Sequence, residues 1–91
     1  MVKRFSAVIH GRVQGVGFRF FAREMACDLG LVGFVRNTPD GGVEVAAEGE
    51  QSALERFLDI LRQGPRSAYV ARVDVSWEEP TGGHDRFVVR A

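Results

Sequence analysis

The chain has 91 residues, 45% of them hydrophobic and 26% charged, a composition typical of one soluble globular domain with a modest core. Its 12 basic residues balance its 12 acidic ones, which argues against a protein whose main task is to neutralise a nucleic-acid backbone. A single cysteine excludes an internal disulfide, and without a signal-like segment or a run of ~20 apolar residues we expect a cytoplasmic protein that does not enter a membrane.

The first half of the chain predicts a strand, a helix and a hairpin. Alternating apolar residues predict a first strand at residues 5–10. After a glycine-rich loop, apolar residues at helical spacing predict a helix from Phe18 that ends at Gly30, a residue suited to a left-handed C-terminal cap. A second strand at residues 31–37 is joined to a third by residues 38–42, which are rich in turn formers.

The second half predicts one more helix and one more long strand. An apolar stripe through Leu54, Phe57 and Leu61 predicts an amphipathic helix that Gly64 ends. Alternation over residues 69–78 predicts a fourth strand. After a turn of proline and glycine, the apolar residues 87–89 predict a short return strand.

This order of elements predicts an α+β fold, the ferredoxin-like split β-α-β sandwich, as one domain over residues 1–91. Right-handed crossovers place both helices on one face of an antiparallel sheet. The first and second strands then run parallel with the third between them, so their C-terminal ends share one edge. The loop after the first strand and Asn37, at the end of the second, are therefore expected to be neighbours.

The loop between His10 and Arg19, with the sequence HGRVQGVGFR, has features of an anion site. Its glycines allow backbone N–H groups to turn toward one point at the start of a helix, and Arg19 adds a planar fork of donors. A ligand-free glycine turn is the alternative. However, a cation beside the positive end of a helix dipole costs ~0.3–1 kcal/mol, which an anion would offset. No nucleophilic or acidic side chain lies between Gly11 and Arg19, so chemistry here requires water as the nucleophile.

Asn37 has two interpretations. An asparagine before a turn commonly mimics a turn backbone with its side chain. Beside a phosphate loop, its amide can instead hold one water molecule without adding negative charge. Such a water suffices only for an intrinsically reactive phosphate.

Two motifs and the segments after them resemble the acylphosphatase family over nearly the whole chain. They are GRVQGVGFR at residues 11–19, LGLVGFVRN at 29–37, the turn at 40–41, VEV at 43–45, and Gly64-Pro65 with Ala68 and Val70. The resemblance implies a ferredoxin-like enzyme that hydrolyses the carboxyl-phosphate bond of small acyl phosphates. Inorganic phosphate is then a product. Because no cysteine and histidine spacing suits a metal, we expect a monomeric enzyme without metal or cofactor that inorganic phosphate inhibits.

The resemblance assigns roles to named residues. Arg19 binds the phosphate together with the loop, and Asn37 orients the attacking water. The loop residues implied in phosphate binding are Gln14, Gly15, Val16, Gly17 and Phe18.

Other polar and aromatic residues are interpreted as structural. His10 has no acid at a spacing that would use it, and His84 is expected to be exposed in a turn. Glu48 is expected on the solvated face of the third strand, and Tyr69 and Trp77 in packing.

Three other functions remain as alternatives. A regulatory module that binds an anion would not need Asn37. RNA binding on this fold requires exposed aromatics on the central strands, which the first and third strands lack, so no nucleic-acid partner is expected. The chain also resembles the acylphosphatase-like domain of a larger carbamoyl-transfer maturation protein.

Overall fold

The chain forms two helices and five strands in a computed structural model that describes residues 1–91. The elements are β1 (Val2–Arg12), α1 (Phe18–Asp28), β2 (Val32–Asn37), β3 (Val43–Glu50), α2 (Gln51–Gln63), β4 (Tyr69–Glu78) and β5 (Phe87–Val89). They build one sheet with the order β4-β1-β3-β2-β5, in which the first four strands pair antiparallel. The predicted ferredoxin-like α+β fold is therefore confirmed.

The last strand does not lie where the sequence pattern suggested. A return strand would pair with β4, but β5 pairs parallel with β2 at the other edge, where Gly33 faces Phe87. The segment between β4 and β5 reaches that edge over the helix-free face of the sheet, where Thr81 bonds to Glu48. Phe87 is buried, and its ring centre lies 5.8 Å from that of Phe57 in an edge-to-face contact that anchors the strand. Because β5 runs parallel to β2, the sheet is mixed.

Both helices pack on one face of the sheet, as predicted. Every second residue of β1 from Phe5 to Ile9 is buried in a core shared with both helices. The helices contribute Phe18, Ala22 and Ala26 from α1 and Leu54, Phe57, Leu58 and Leu61 from α2. The predicted end of α1 is also correct, because Gly30 has a φ of 72° and the next amide, of Leu31, bonds back to the Ala26 carbonyl.

Two expectations about the helix-free face were wrong. Glu48 is only 4% exposed, because the segment after β4 covers it and supplies hydrogen bonds from Thr81 and from the Gly82 amide. His84, in the same segment, is half-buried between Arg4 and Phe34. The sequence pattern shows the polarity of these residues but not the chain that crosses over them.

Tyr69 was expected to pack and is instead 67% exposed. The β1–β4 register shifts between His10 and Gly11, which changes the alternation at this end of β4. As a result Val70, rather than Tyr69, packs against the core. Trp77, at the other end of the strand, does pack: its ring is edge-on to that of Phe5, with the ring centres 5.6 Å apart.

Candidate active site

The loop between β1 and α1 carries a run of unpaired backbone donors. Gly15 and Gly17 have φ values of 75° and 76°, the left-handed conformation expected of them. None of the backbone N–H groups of residues 14–20 donates to a protein acceptor, and the first helical amide to do so is that of Phe21, to the Gly17 carbonyl. Such donors at the N-terminus of a helix are suited to an anion.

Asn37 and the loop line the same small cavity. Its volume is about 110 Å³, and its lining consists of Val13, Gly15, Gly17, Phe18, Arg19, Phe20 and Asn37. The topological expectation that the ends of β1 and β2 are neighbours is therefore confirmed. Among the predicted site residues, Gln14 and Val16 do not line the cavity.

The Gln14 side chain ties the loop to the turn that follows β2. Its Nε2 donates to the carbonyls of Thr38 and Gly42, both at 2.8 Å. These two bonds use the amide donors, so Gln14 can offer an anion its backbone N–H but not this amide group. This contact was not predicted from the sequence, and it links the loop directly to Thr38, the residue after Asn37.

Val16 provides a second tie. Its carbonyl accepts a hydrogen bond from Ser67 Oγ at 3.1 Å, from the segment just before β4. The loop is thus held on both sides, toward β3 through Gln14 and toward β4 through Val16. A loop held in this way keeps its N–H groups oriented before an anion arrives.

Arg19 is oriented by a main-chain carbonyl beyond β5. One guanidinium nitrogen, Nη1, donates to the carbonyl of Arg90 at 2.8 Å, and no acidic residue pairs with Arg19. The remaining guanidinium donors are free to bind an anion. No sequence signal reveals this contact, because every residue carries a carbonyl.

The Arg90 side chain is used elsewhere. Its guanidinium lies 4.0 Å from the centre of the Phe34 ring, on the helix-free face of the sheet. A cation over an aromatic face is a favourable pair. This contact with Phe34 helps to position Arg90, whose carbonyl accepts the hydrogen bond from Arg19.

His10 does have an acidic partner, contrary to expectation. Its Nε2 lies 3.0 Å from Asp74 Oδ2, on the neighbouring strand β4. Although burial raises the pKa of Asp74, hydrogen bonds from Arg72 and His10 lower it overall. Sequence spacing could not show this pair, because strand pairing brings together residues 64 positions apart. Neither residue lines the cavity.

No group of three or more His, Cys, Asp or Glu side chains is arranged to hold a metal ion. A larger surface cavity of about 400 Å³ lies near the start of β1 and is lined by Lys3, Gln51, Trp77, Glu78 and Glu79. Its two carboxylates against one ammonium disfavour a phosphate. No helix is long and apolar enough to span a membrane.

Comparison with known proteins agrees with this geometry. The acylphosphatase family model matches residues 5–89. An acylphosphatase of Thermus thermophilus is 56% identical over 79 residues, which cover 87% of this chain and 90% of that protein. One of Mycolicibacterium vanbaalenii is 46% identical over 87 residues, covering 96% and 94%.

Solved structures give the same result. The crystal structure of acylphosphatase from Bacillus subtilis covers 100% of both chains with a TM-score of 0.94 and 36% identity. A crystal structure of HypF covers 100% of this chain but only 12% of its own, with a TM-score of 0.88 and 26% identity.

Proposed function

This chain belongs to the acylphosphatase family and is an acylphosphatase; on that premise we propose which of its residues perform the hydrolysis. Arg19 and the backbone N–H groups from Gln14 to Phe18 bind the phosphoryl group. Asn37 holds the attacking water. The observation that carries this proposal is that Arg19, Asn37 and the loop residues Gly15, Gly17 and Phe18 line one and the same cavity.

Phosphate binding follows from the donors that the loop leaves unpaired. The guanidinium of Arg19 offers two parallel N–H groups to two phosphate oxygens, and backbone amides meet the others. Because Gln14 and Ser67 hold the loop in place, these donors need little reorganisation when charge builds up on the phosphoryl oxygens.

Asn37 positions the attacking water. Its amide both accepts and donates hydrogen bonds, so it can fix the orientation of one water molecule beside the phosphorus. A carboxylate in this place would be a stronger base but would repel the phosphate. The neutral amide therefore positions the nucleophile without weakening substrate binding.

The leaving group requires no general acid. Cleavage of the O–P bond releases a carboxylate, whose conjugate acid has a pKa of about 4, so it departs as an anion at neutral pH. The phosphoryl oxygens of the substrate accept the proton of the attacking water. Neither step calls for a metal ion.

We further propose that the protein acts as a monomeric single domain in the cytoplasm. We also propose that inorganic phosphate inhibits it.

The test separates turnover from phosphate binding. The Asn37→Ala variant should lose most of kcat for benzoyl phosphate, while the inhibition constant of inorganic phosphate stays unchanged, because the amide holds water and not the anion. The matched Asn37→Asp variant should impair both quantities, because its carboxylate repels phosphate. Both are measured with chelator present.

The opposite pattern would refute the role of Asn37. If Asn37→Ala kept its kcat but lost its affinity for inorganic phosphate, the residue would be a phosphate ligand. If activity disappeared in chelator and returned with a divalent ion, the proposal of metal-independent hydrolysis would be wrong.

A further inference from the structure

The cavity is too small to enclose a whole acyl phosphate. At about 110 Å³ it lies well below the ~300–1,000 Å³ of pockets that enclose entire small-molecule ligands. If the phosphoryl group and its water occupy it, as proposed above, the acyl group must lie at the rim. Residues at the rim therefore decide which acyl groups are favoured.

Phe20 is the one large apolar side chain of the lining that faces solvent. The other two, Val13 and Phe18, are each 1% exposed and belong to the core, whereas Phe20 is 57% exposed. Two residues after Phe18 on a helix, it points about 200° away from the buried face. Its ring therefore adds little to the core and is available to a ligand.

Arg23 lies over one face of this ring. Its guanidinium lies 5.8 Å from the centre of the Phe20 ring, one turn further along α1. At an exposed site such a pair is modestly favourable, which favours this position of the ring and leaves its other face to a ligand. Gly17, also in the lining, has nothing within 4 Å of the position where a Cβ would stand, which leaves open space beside the loop.

We propose that Phe20 is a specificity-determining residue: its exposed ring is the platform on which the acyl group of the substrate rests. The preferred substrates are then acyl phosphates with a flat aromatic acyl group, since such a group stacks on Phe20 while a methyl group covers little of it. This inference rests on the proposed function of the cavity.

The test compares an aromatic with a small substrate. The ratio of kcat/KM for benzoyl phosphate to that for acetyl phosphate should fall about three- to tenfold in Phe20→Ala, the range that aromatic stacking accounts for. The Phe20→Tyr variant retains the ring and should keep the wild-type ratio. Tyr69→Ala is the matched control, since it removes an exposed aromatic side chain that does not line the cavity.

Each outcome bears on one of the two proposals. If Phe20→Ala lowers kcat/KM for both substrates equally, or for neither, the platform is refuted while the phosphate site stands. If Tyr69→Ala changes the ratio as much as Phe20→Ala, the effect is not specific to Phe20 and the platform is again refuted. If the wild-type protein hydrolyses neither substrate, the proposed function of the cavity itself fails.

Discussion

Single residues at this site divide into those that can reach a ligand and those that hold others in place. Arg19 and Asn37 line the cavity, whereas Gln14 and the Arg90 carbonyl position parts of it through hydrogen bonds of 2.8 Å. The first pair was predictable from residue type, because a guanidinium and an amide have characteristic chemistry. The second pair was not, because its partners are main-chain carbonyls that carry no sequence signal.

Glu48 shows how one buried residue acts on the whole fold. Burial raises the pKa of its carboxyl, but hydrogen bonds from Thr81, the Gly82 amide and Arg4 outweigh this effect and lower the pKa from 4.5 to about 2. A carboxylate whose pKa is lower in the folded state stabilises the protein above the pKa of the unfolded chain. That contribution is lost as the pH falls from 4.5 to about 2.

We therefore predict that Glu48→Gln flattens the acid side of the stability profile. The wild-type free energy of unfolding should fall by about 2–3 kcal/mol from Glu48 alone between about pH 6 and about pH 2. Urea unfolding at both pH values measures this, and the variant should lack that part of the fall. In Thr81→Val, which removes one hydrogen-bond donor to Glu48, the fall in the free energy of unfolding should lie between those of the wild type and Glu48→Gln. Equal pH dependence in wild type and Glu48→Gln would contradict the assignment.

At the scale of elements, the loop between β1 and α1 forms one unit with that helix. The loop places Gly15 and Gly17 in the left-handed region just before the helix begins, and Gly30 takes the same conformation just after it ends. All three have open space where a Cβ would stand. The two ends of α1 thus offer the same backbone requirement, one beside the cavity and one remote from it.

This symmetry allows a matched comparison. Gly15→Ala and Gly30→Ala should each destabilise the protein by about 1–2 kcal/mol, because alanine is strained at φ values near 75° and 72°. Only Gly15→Ala should also lower kcat/KM, by at least about tenfold, because it displaces the donors that line the cavity. Denaturant unfolding and phosphate release measure the two effects. Equal activity loss in both variants would mean that stability, and not loop geometry, limits turnover.

At the scale of the whole molecule, strand order brings the site together. Antiparallel β3 lies between β1 and β2, so the ends of two parallel strands deliver the loop and Asn37 to one edge of the sheet. The hydrophobic pattern was enough to predict this arrangement, because alternation and helical spacing determine which faces are buried. The path of residues 79–86 was not predictable, because that segment is held by contacts to Glu48 and Arg4 rather than by a pattern of its own.

We expect phosphate binding in the cavity to depend on Arg19, so substitution of this residue tests the proposed site. The initial rate of phosphate release from benzoyl phosphate should fall by at least about 10³-fold in Arg19→Ala. It should also fall severely in Arg19→Lys, because a point charge cannot replace the two-pronged contact. Stability should change by no more than ~1 kcal/mol, since the lost bond to Arg90 is offset by relief at the helix dipole.

The control is Arg56→Ala, which removes an exposed arginine on α2 and should keep the wild-type rate. We expect an Arg19→Ala protein that is folded and inactive. A folded Arg19→Ala protein that releases phosphate at the wild-type rate would refute the role of Arg19.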